Sequence, residues 1–193
     1  MMFKTKQTWL YILFALCCMF PLLGSQGHSF FMQPTQASTL EVKDEIELLI
    51  EKRQMVEAIT TLYKYVPRTE AITVVDSVYK YSEAYGLQPS LLFGLIAAES
   101  SYKRKAVSKE GAAGYTQILA KYHKDKLKGR NKFHTEANID VGAQVFASCM
   151  SKSNGNFNKA LGCYNGTNSP KKIAKFKSTI HKRRDQLIQL AML

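Results

Sequence analysis

The sequence predicts a mostly α-helical protein, made of one helical domain and an N-terminal amphipathic helix. Apolar residues recur at intervals of three and four, and no long stretch alternates with the period of two that is typical of strands. Glycine and proline fall where helices are expected to end or begin. A chain of 193 residues, 46% of them apolar, can bury one core but leaves little room for a second large domain.

The N-terminus has the pattern of an export signal. Two lysines precede an apolar run, Trp9 to Leu23, and small and polar residues follow from Gly24 to Gly27. The run is shorter than the roughly 20 residues that a membrane span needs. We therefore expect residues 1–27 to be a signal peptide that is cleaved near its end, so that the protein is periplasmic and touches the membrane only transiently. A retained anchor and a lipoprotein are the less favoured alternatives.

Residues 28–68 are predicted to form a helical extension. Ser38 or Thr39 is available to cap a long helix that stops at Pro67. Its apolar residues share one face, which is typical of a core or partner contact and predicts packing against the following domain. They are Ile46, Leu49, Ile50, Val56, Ile59, Leu62, Tyr63 and Val66.

Residues 69–193 form the predicted main domain. Its first helix runs from Thr69 to Tyr85, with Gly86 supplying the left-handed residue that ends it. Pro89 suits the first turn of the next helix, whose apolar sequence SLLFGLIAA places it in the core. The residues of the first helix that we expect to face inward are Val75, Val78, Tyr79 and Ala84.

Three more helices follow a basic, loop-like connection. We expect one from about Asn138 to Met150, a short one over FNKALGCY, and a basic C-terminal helix within 169–193. Residues 121–193 carry 15 Lys and Arg against 4 Asp and Glu, which is +11 of the net charge of +12. This balance indicates a polyanionic partner or, equally well, a solvated basic face.

Glu99 ends the apolar third helix. Apolar neighbours and the helix C-terminus both disfavour its ionised form and are expected to raise its pKa. A carboxyl group that stays protonated near neutral pH suits general-acid cleavage of a glycosidic bond. The other interpretation of an isolated glutamate is an ordinary helix end that reaches solvent. Nearby, Gly111 and Gly114 permit close backbone approach, and the amide of Gln117 can both donate to and accept from a sugar.

The motifs YSEAYGLQPSLLFGLIAAESSY, SKEGAAGYTQI, NIDVGAQVF and CYNGT occur in this order between Tyr81 and Thr167, in a region of resemblance that covers roughly residues 72–165. Together they resemble the soluble lytic transglycosylase family, which has a lysozyme-like fold with a cleft. The resemblance implies that Glu99 is the catalytic acid/base and that the hydroxyl of Tyr164 meets it. It implies substrate-binding roles for Ser100, Gly114, Gln117, Tyr164 and Asn165. Departures from the family pattern at Tyr115, Thr116, Leu119, Ala120 and Cys163 suggest an altered cleft. We expect Tyr115 to pack inward, and stacking on a sugar face is the alternative.

The number of carboxylates guides the choice of reaction. A hydrolase usually needs a second carboxylate, and neither candidate, Glu110 nor Asp140, is persuasive. By the resemblance we expect cleavage of the β-1,4 bond between MurNAc and GlcNAc, with the muramoyl C6 hydroxyl closing a 1,6-anhydro ring. Lysozyme-like hydrolysis and an inactive peptidoglycan-binding module are the alternatives. The expected partners are glycan strands and, by analogy, a secretion or conjugation apparatus, whereas no motif for nucleic-acid recognition is present.

Cys149 and Cys163 are the cysteines that remain after signal cleavage. An oxidising compartment favours pairing them, while two buried free thiols is the other interpretation. Paired, they would close a loop of about fifteen residues and brace the site. We expect no cofactor and no metal, because the histidines are scattered without a ligand pattern. They are His28, His123, His134 and His181.

Overall fold

The computed structural model describes residues 36–193, and the predicted signal peptide lies outside this range. The described chain is helical, with two isolated β-bridges and no strand, which confirms the predicted fold class. No helix within 36–193 is long and apolar enough to cross a membrane. The helices are α1 (Gln36–Leu62), α2 (Arg68–Tyr85), α3 (Pro89–Ser100), α4 (Lys124–Leu127), α5 (Thr135–Lys152), α6 (Phe157–Tyr164) and α7 (Pro170–Ala191), with a 3-10 turn at Ala120–Tyr122.

Helix α1 differs from the prediction at both ends. It begins before Ser38 and Thr39, so neither residue caps it, and it ends at Leu62 rather than at Pro67. Its apolar stripe also divides in two. The residues from Val56 to Val66 that were predicted to face inward are buried, apart from Leu62, whereas Ile46, Leu49 and Ile50 are 51%, 60% and 51% exposed. The expected packing is therefore wrong for the N-terminal half, which extends beyond the core.

Helix α2 ends and helix α3 begins at the residues that the sequence predicts. Gly86 adopts a left-handed conformation with φ 64°, and its N–H donates to the Glu83 carbonyl. Pro89 lies in the first turn of α3, as predicted. The inward face of α2 is correct for Val75 and Val78, but Ala84 is exposed because it lies on the opposite side of the helix from Val75.

Helix α7 packs closely on α3. A Cβ atom on Gly94 would lie 2.8 Å from the Ile180 carbonyl oxygen and 2.9 Å from the Cβ of Arg184, so the two backbones meet at this glycine. Ile180 and Leu187 are fully buried, as is most of α3. The basic C-terminal helix is therefore part of the core that holds the helix bearing Glu99.

Candidate active site

Glu99 lies in the last turn of α3, and Ser101 ends this helix in a left-handed conformation with φ 50°. Burial among apolar neighbours raises the pKa of Glu99 to about 8. The carboxyl group is therefore largely protonated at neutral pH. This is the property that the sequence predicted for it, and desolvation is its cause.

The segment from Ala113 to Ile118 forms a tight turn beside Glu99. Ala113 pairs in isolated bridges with both Val107 and Ile118, and its N–H donates to the Ile118 carbonyl at 3.0 Å. Gly114 has φ 79°, a backbone conformation that favours glycine. A Cβ atom on Gly114 would also lie 2.2 Å from the amide nitrogen of Asn138. Glycine at this position therefore allows the turn to adopt its backbone conformation and to pack against Asn138.

Asn138 holds this turn in place from helix α5. It is fully buried, its Oδ1 accepts from the Thr116 backbone N–H at 2.9 Å, and its Nδ2 donates to the Ala113 carbonyl at 2.9 Å and the Lys132 carbonyl at 2.8 Å. The Thr116 hydroxyl donates to the backbone carbonyl of Asn138 at 2.9 Å. One side chain thus satisfies three backbone groups, two of the turn and one of the loop before α5. The sequence predicts only that a helix begins near Asn138 and gives no sign of this role.

Tyr164 joins the same network from the end of α6. Its hydroxyl donates to the Thr116 carbonyl at 2.7 Å, and no hydrogen bond between it and Glu99 is present in the described chain. The hydroxyl donates to the buried Thr116 carbonyl rather than to Glu99, so the predicted meeting of the two groups is proximity without a hydrogen bond. The two groups are still neighbours. Burial, together with the charge that Glu99 carries when ionised, raises the pKa of Tyr164 well above its usual range.

A second set of contacts fixes the opposite side of the turn. Tyr115 is 1% exposed, which confirms that it packs inward, and its hydroxyl donates to Glu70 of α2 at 2.7 Å. The Thr135 hydroxyl donates to the same carboxylate oxygen at 2.5 Å. Glu70 therefore ties α2, the turn and the start of α5 together, and it is another residue that the sequence analysis missed.

A cleft of about 720 Å³ opens beside Glu99. The structure brings four of the predicted site residues together on its wall, which are Glu99, Gln117, Tyr164 and Asn165. The Gln117 amide nitrogen donates to the Gly114 carbonyl at 2.9 Å, which leaves its side-chain oxygen available as an acceptor. Other lining residues include Ser108, Glu110, Tyr122, His123, Lys126, Ser148 and Lys152.

Ser100 and Gly114 do not line the cleft. Ser100 is 7% exposed, and its hydroxyl donates to the Ile96 carbonyl at 3.1 Å, within its own helix. Gly114 is buried behind the cleft against Asn138. The structure therefore does not bring these two residues together with Glu99 on the cleft wall, and their predicted part in substrate binding stays a prediction.

The two candidate second carboxylates lie in different places. Glu110 is exposed on the cleft wall, and a hydrogen bond from the Ser108 hydroxyl at 2.9 Å lowers its pKa, so it is ionised. Asp140 lies away from the cleft, where it accepts from the Tyr85 hydroxyl at 2.6 Å and pairs with Arg130 at 2.7 Å. Asp140 also falls beyond the first turn of α5, where Glu136 is the acidic residue.

A disulfide joins Cys149 of α5 to Cys163 of α6, with 5.7 Å between the Cα atoms. Both cysteines line the cleft, and Cys163 precedes Tyr164 in the chain. The covalent link therefore fixes the two helices that form one side of the site. Within 36–193, no three His, Cys, Asp or Glu side chains lie close enough together to hold a metal ion.

A helical domain that holds a neutral carboxyl group in an open cleft has the arrangement of the lysozyme-like proteins. The sequence profile of the Transglycosylase SLT domain matches residues 76–187, more than half of the chain, and the chain belongs to this family. Membership confirms the resemblance and the predicted lysozyme-like fold.

A comparison with solved structures finds the lytic transglycosylase Slt from Pseudomonas aeruginosa, solved as an inactive mutant. The two chains share 20% sequence identity, with a TM-score of 0.45. The match covers 58% of this chain and 22% of that chain, so this chain spans about a fifth of the other protein.

Proposed function

We propose that the protein is a peptidoglycan lytic transglycosylase that cleaves the β-1,4 bond between MurNAc and GlcNAc and leaves a 1,6-anhydro-MurNAc end. The observation that carries this proposal is the buried carboxyl group of Glu99, which has a pKa of about 8 and lies in a cleft large enough for sugar units. Family membership supports the same chemistry.

In the proposed reaction, protonated Glu99 gives its proton to the glycosidic oxygen as the bond to C1 of MurNAc breaks. The resulting carboxylate accepts the proton of the C6 hydroxyl of the same sugar. The C6 oxygen then bonds to C1 and closes the anhydro ring. Glu99 ends the cycle protonated, and the internal nucleophile takes the place of a second carboxylate through its high effective concentration.

One observation favours a second candidate, lysozyme-like hydrolysis. Glu110 shares the cleft with Glu99 and is ionised, so the cleft contains one neutral and one charged carboxyl group. Such a pair can protonate the leaving oxygen and activate water or stabilise the oxocarbenium ion. Against this role, Glu110 is exposed and its carboxylate is held by Ser108 within its own loop.

Mass spectrometry of the muropeptides released from purified sacculi separates these reactions. We expect anhydro-ended products from the wild type and from Glu110→Gln, and none from Glu99→Gln. Reducing-end products that are lost in Glu110→Gln would establish the hydrolase. If no enzyme form released product while the wild type still sedimented with sacculi, the protein would be a binding module.

We further propose that the protein is exported to the periplasm and opens the wall locally, for a secretion or conjugation apparatus. The proposal rests on the signal-like sequence of residues 1–27 and on the small size of the domain, and the role is argued by analogy. Cell fractionation with N-terminal sequencing of the mature protein tests the export. Retention of the full-length chain in the cytoplasm would contradict it.

A further inference from the structure

Two cations stand on the wall of the cleft that bears Glu99. Lys126 comes from helix α4, and Lys152 is the last residue of α5. Both line the cleft together with Gln117 and Asn165. They are separate in sequence, and the fold brings them to the same cavity.

The other charges of the cleft leave these lysines available to an anion. Lys152 makes no ion pair within 36–193, and the partner of Lys126 is the adjacent Asp125, at 2.9 Å. The Asp125 side chain is 69% exposed, so this pair is screened by water and contributes little. His123 has a lowered pKa, caused by burial and by the charge of Lys126, and it adds no positive charge at neutral pH.

The acidic side of the cleft does not neutralise them. Glu99 is protonated at neutral pH, and Glu110, although ionised, makes no ion pair with either lysine within 36–193. A neutral chitin-like sugar chain offers no anion to either ammonium group, whereas a carboxylate on the glycan would pair with them through charge-assisted hydrogen bonds.

We propose that Lys126 and Lys152 bind a carboxylate carried by the muramoyl sugar and so select carboxylate-bearing strands over neutral ones. The proposal rests on the proposed function, since it concerns the substrate of the same cleft. The carboxylate belongs either to the lactyl group of the sugar or to the peptide attached to it. These sources present the same chemistry and differ in their distance from the sugar ring.

The test uses three forms of the same glycan strands. The first carries stem peptides, the second has been stripped by an amidase and keeps the lactyl carboxylate, and the third is the stripped strand with that carboxylate converted to a methylamide. Binding is measured by isothermal titration calorimetry in the Glu99→Gln background, and cleavage is measured as kcat/KM with Glu99 present. The variants are Lys126→Met, Lys152→Met and the double variant. Lys124→Met is the control, because this exposed lysine of α4 does not line the cleft.

We expect each single change to weaken binding of carboxylate-bearing strands about tenfold, with no effect on the neutral strand. Loss on the stripped strand identifies the lactyl carboxylate, and loss only on the peptide-bearing strand identifies the stem peptide. Equal losses on all three strands, or no loss on any, would overturn the proposal. Binding and cleavage are measured separately. If the protein bound carboxylate-bearing strands selectively but did not cut them, the proposed function would be overturned and the binding proposal would stand.

Discussion

The side chain of Asn138 accepts a hydrogen bond from the backbone N–H of Thr116 at 2.9 Å, in the buried space between helix α5 and the turn beside the cleft. The carbonyl of the same residue, Thr116, accepts a hydrogen bond from the Tyr164 hydroxyl at 2.7 Å. The position of Tyr164 beside Glu99 thus depends on an amide that never reaches the cleft.

Replacing Asn138 with alanine is expected to destabilise the protein. The change leaves the Thr116 N–H and the Ala113 and Lys132 carbonyls buried without a partner, at a cost of about 2–4 kcal/mol in the free energy of unfolding. Urea denaturation measures this cost. Asn168→Ala is the control, since Asn168 is exposed and its loss should cost less than about 0.5 kcal/mol. Equal stability of the two variants would mean that the buried network contributes nothing.

Gly142→Ala is expected to destabilise the protein, although a glycine-to-alanine change inside a helix usually stabilises it. Inside an exposed helix, alanine is more favourable than glycine by about 1 kcal/mol. Here a Cβ atom would lie 2.4 Å from the Cβ of Thr116, so α5 and the turn must move apart. We expect a net loss of about 1–3 kcal/mol in thermal or chemical unfolding. A gain in stability would show that the contact is loose.

The pKa of Glu99 makes the stability of the protein depend on pH. The folded state holds its proton up to about pH 8, whereas the unfolded chain releases it near 4.5. The unfolded state therefore binds fewer protons between these values, and stability falls as the pH rises through this window, by at most about 1.4 kcal/mol per unit. Glu99→Gln has no carboxyl group to titrate at this position, so it does not lose stability in this way. Its melting temperature is expected to exceed that of the wild type at pH 8 but not at pH 4.5.

The control for this prediction is Glu83→Gln, on the exposed side of α2. It should follow the pH dependence of the wild type. Parallel melting curves for the wild type and Glu99→Gln across the window would mean that Glu99 titrates as an ordinary exposed carboxyl group. Activity should also decline as the pH rises through about 8, because the general acid loses its proton.

Loss of the disulfide is expected to weaken both stability and activity. The cysteines are 14 residues apart, and a loop of this length contributes on the order of 3 kcal/mol in the chain-entropy model. Cys149→Ala combined with Cys163→Ala should unfold at lower urea, and a reductant should bring the wild type to the same midpoint. The reductant should not change the double variant. A wild type that is insensitive to full reduction would contradict this role.

The sequence predicts those parts of the structure that depend on neighbours along the chain. Glu99 stands out because eight apolar or small residues precede it in one helix, and Gly86 and Pro89 mark helix ends by their own backbone chemistry. Asn138 gives no such sign, because its partners come from 22 and 25 residues earlier and its neighbours in α5 are apolar. The exposure of the N-terminal half of α1 could not be predicted either, since an amphipathic pattern does not show how much of the helix the domain covers.

The close approach of α3 and α7 at Gly94 sets an order of events during synthesis. The helix that bears Glu99 is made some 80 residues before the helix that covers it, which begins at Pro170. Until that last segment emerges, the apolar surface of α3 around Gly94 lacks the helix that covers it in the folded protein. The core that holds the helix of Glu99 therefore cannot be completed before the C-terminal residues of the chain have been made.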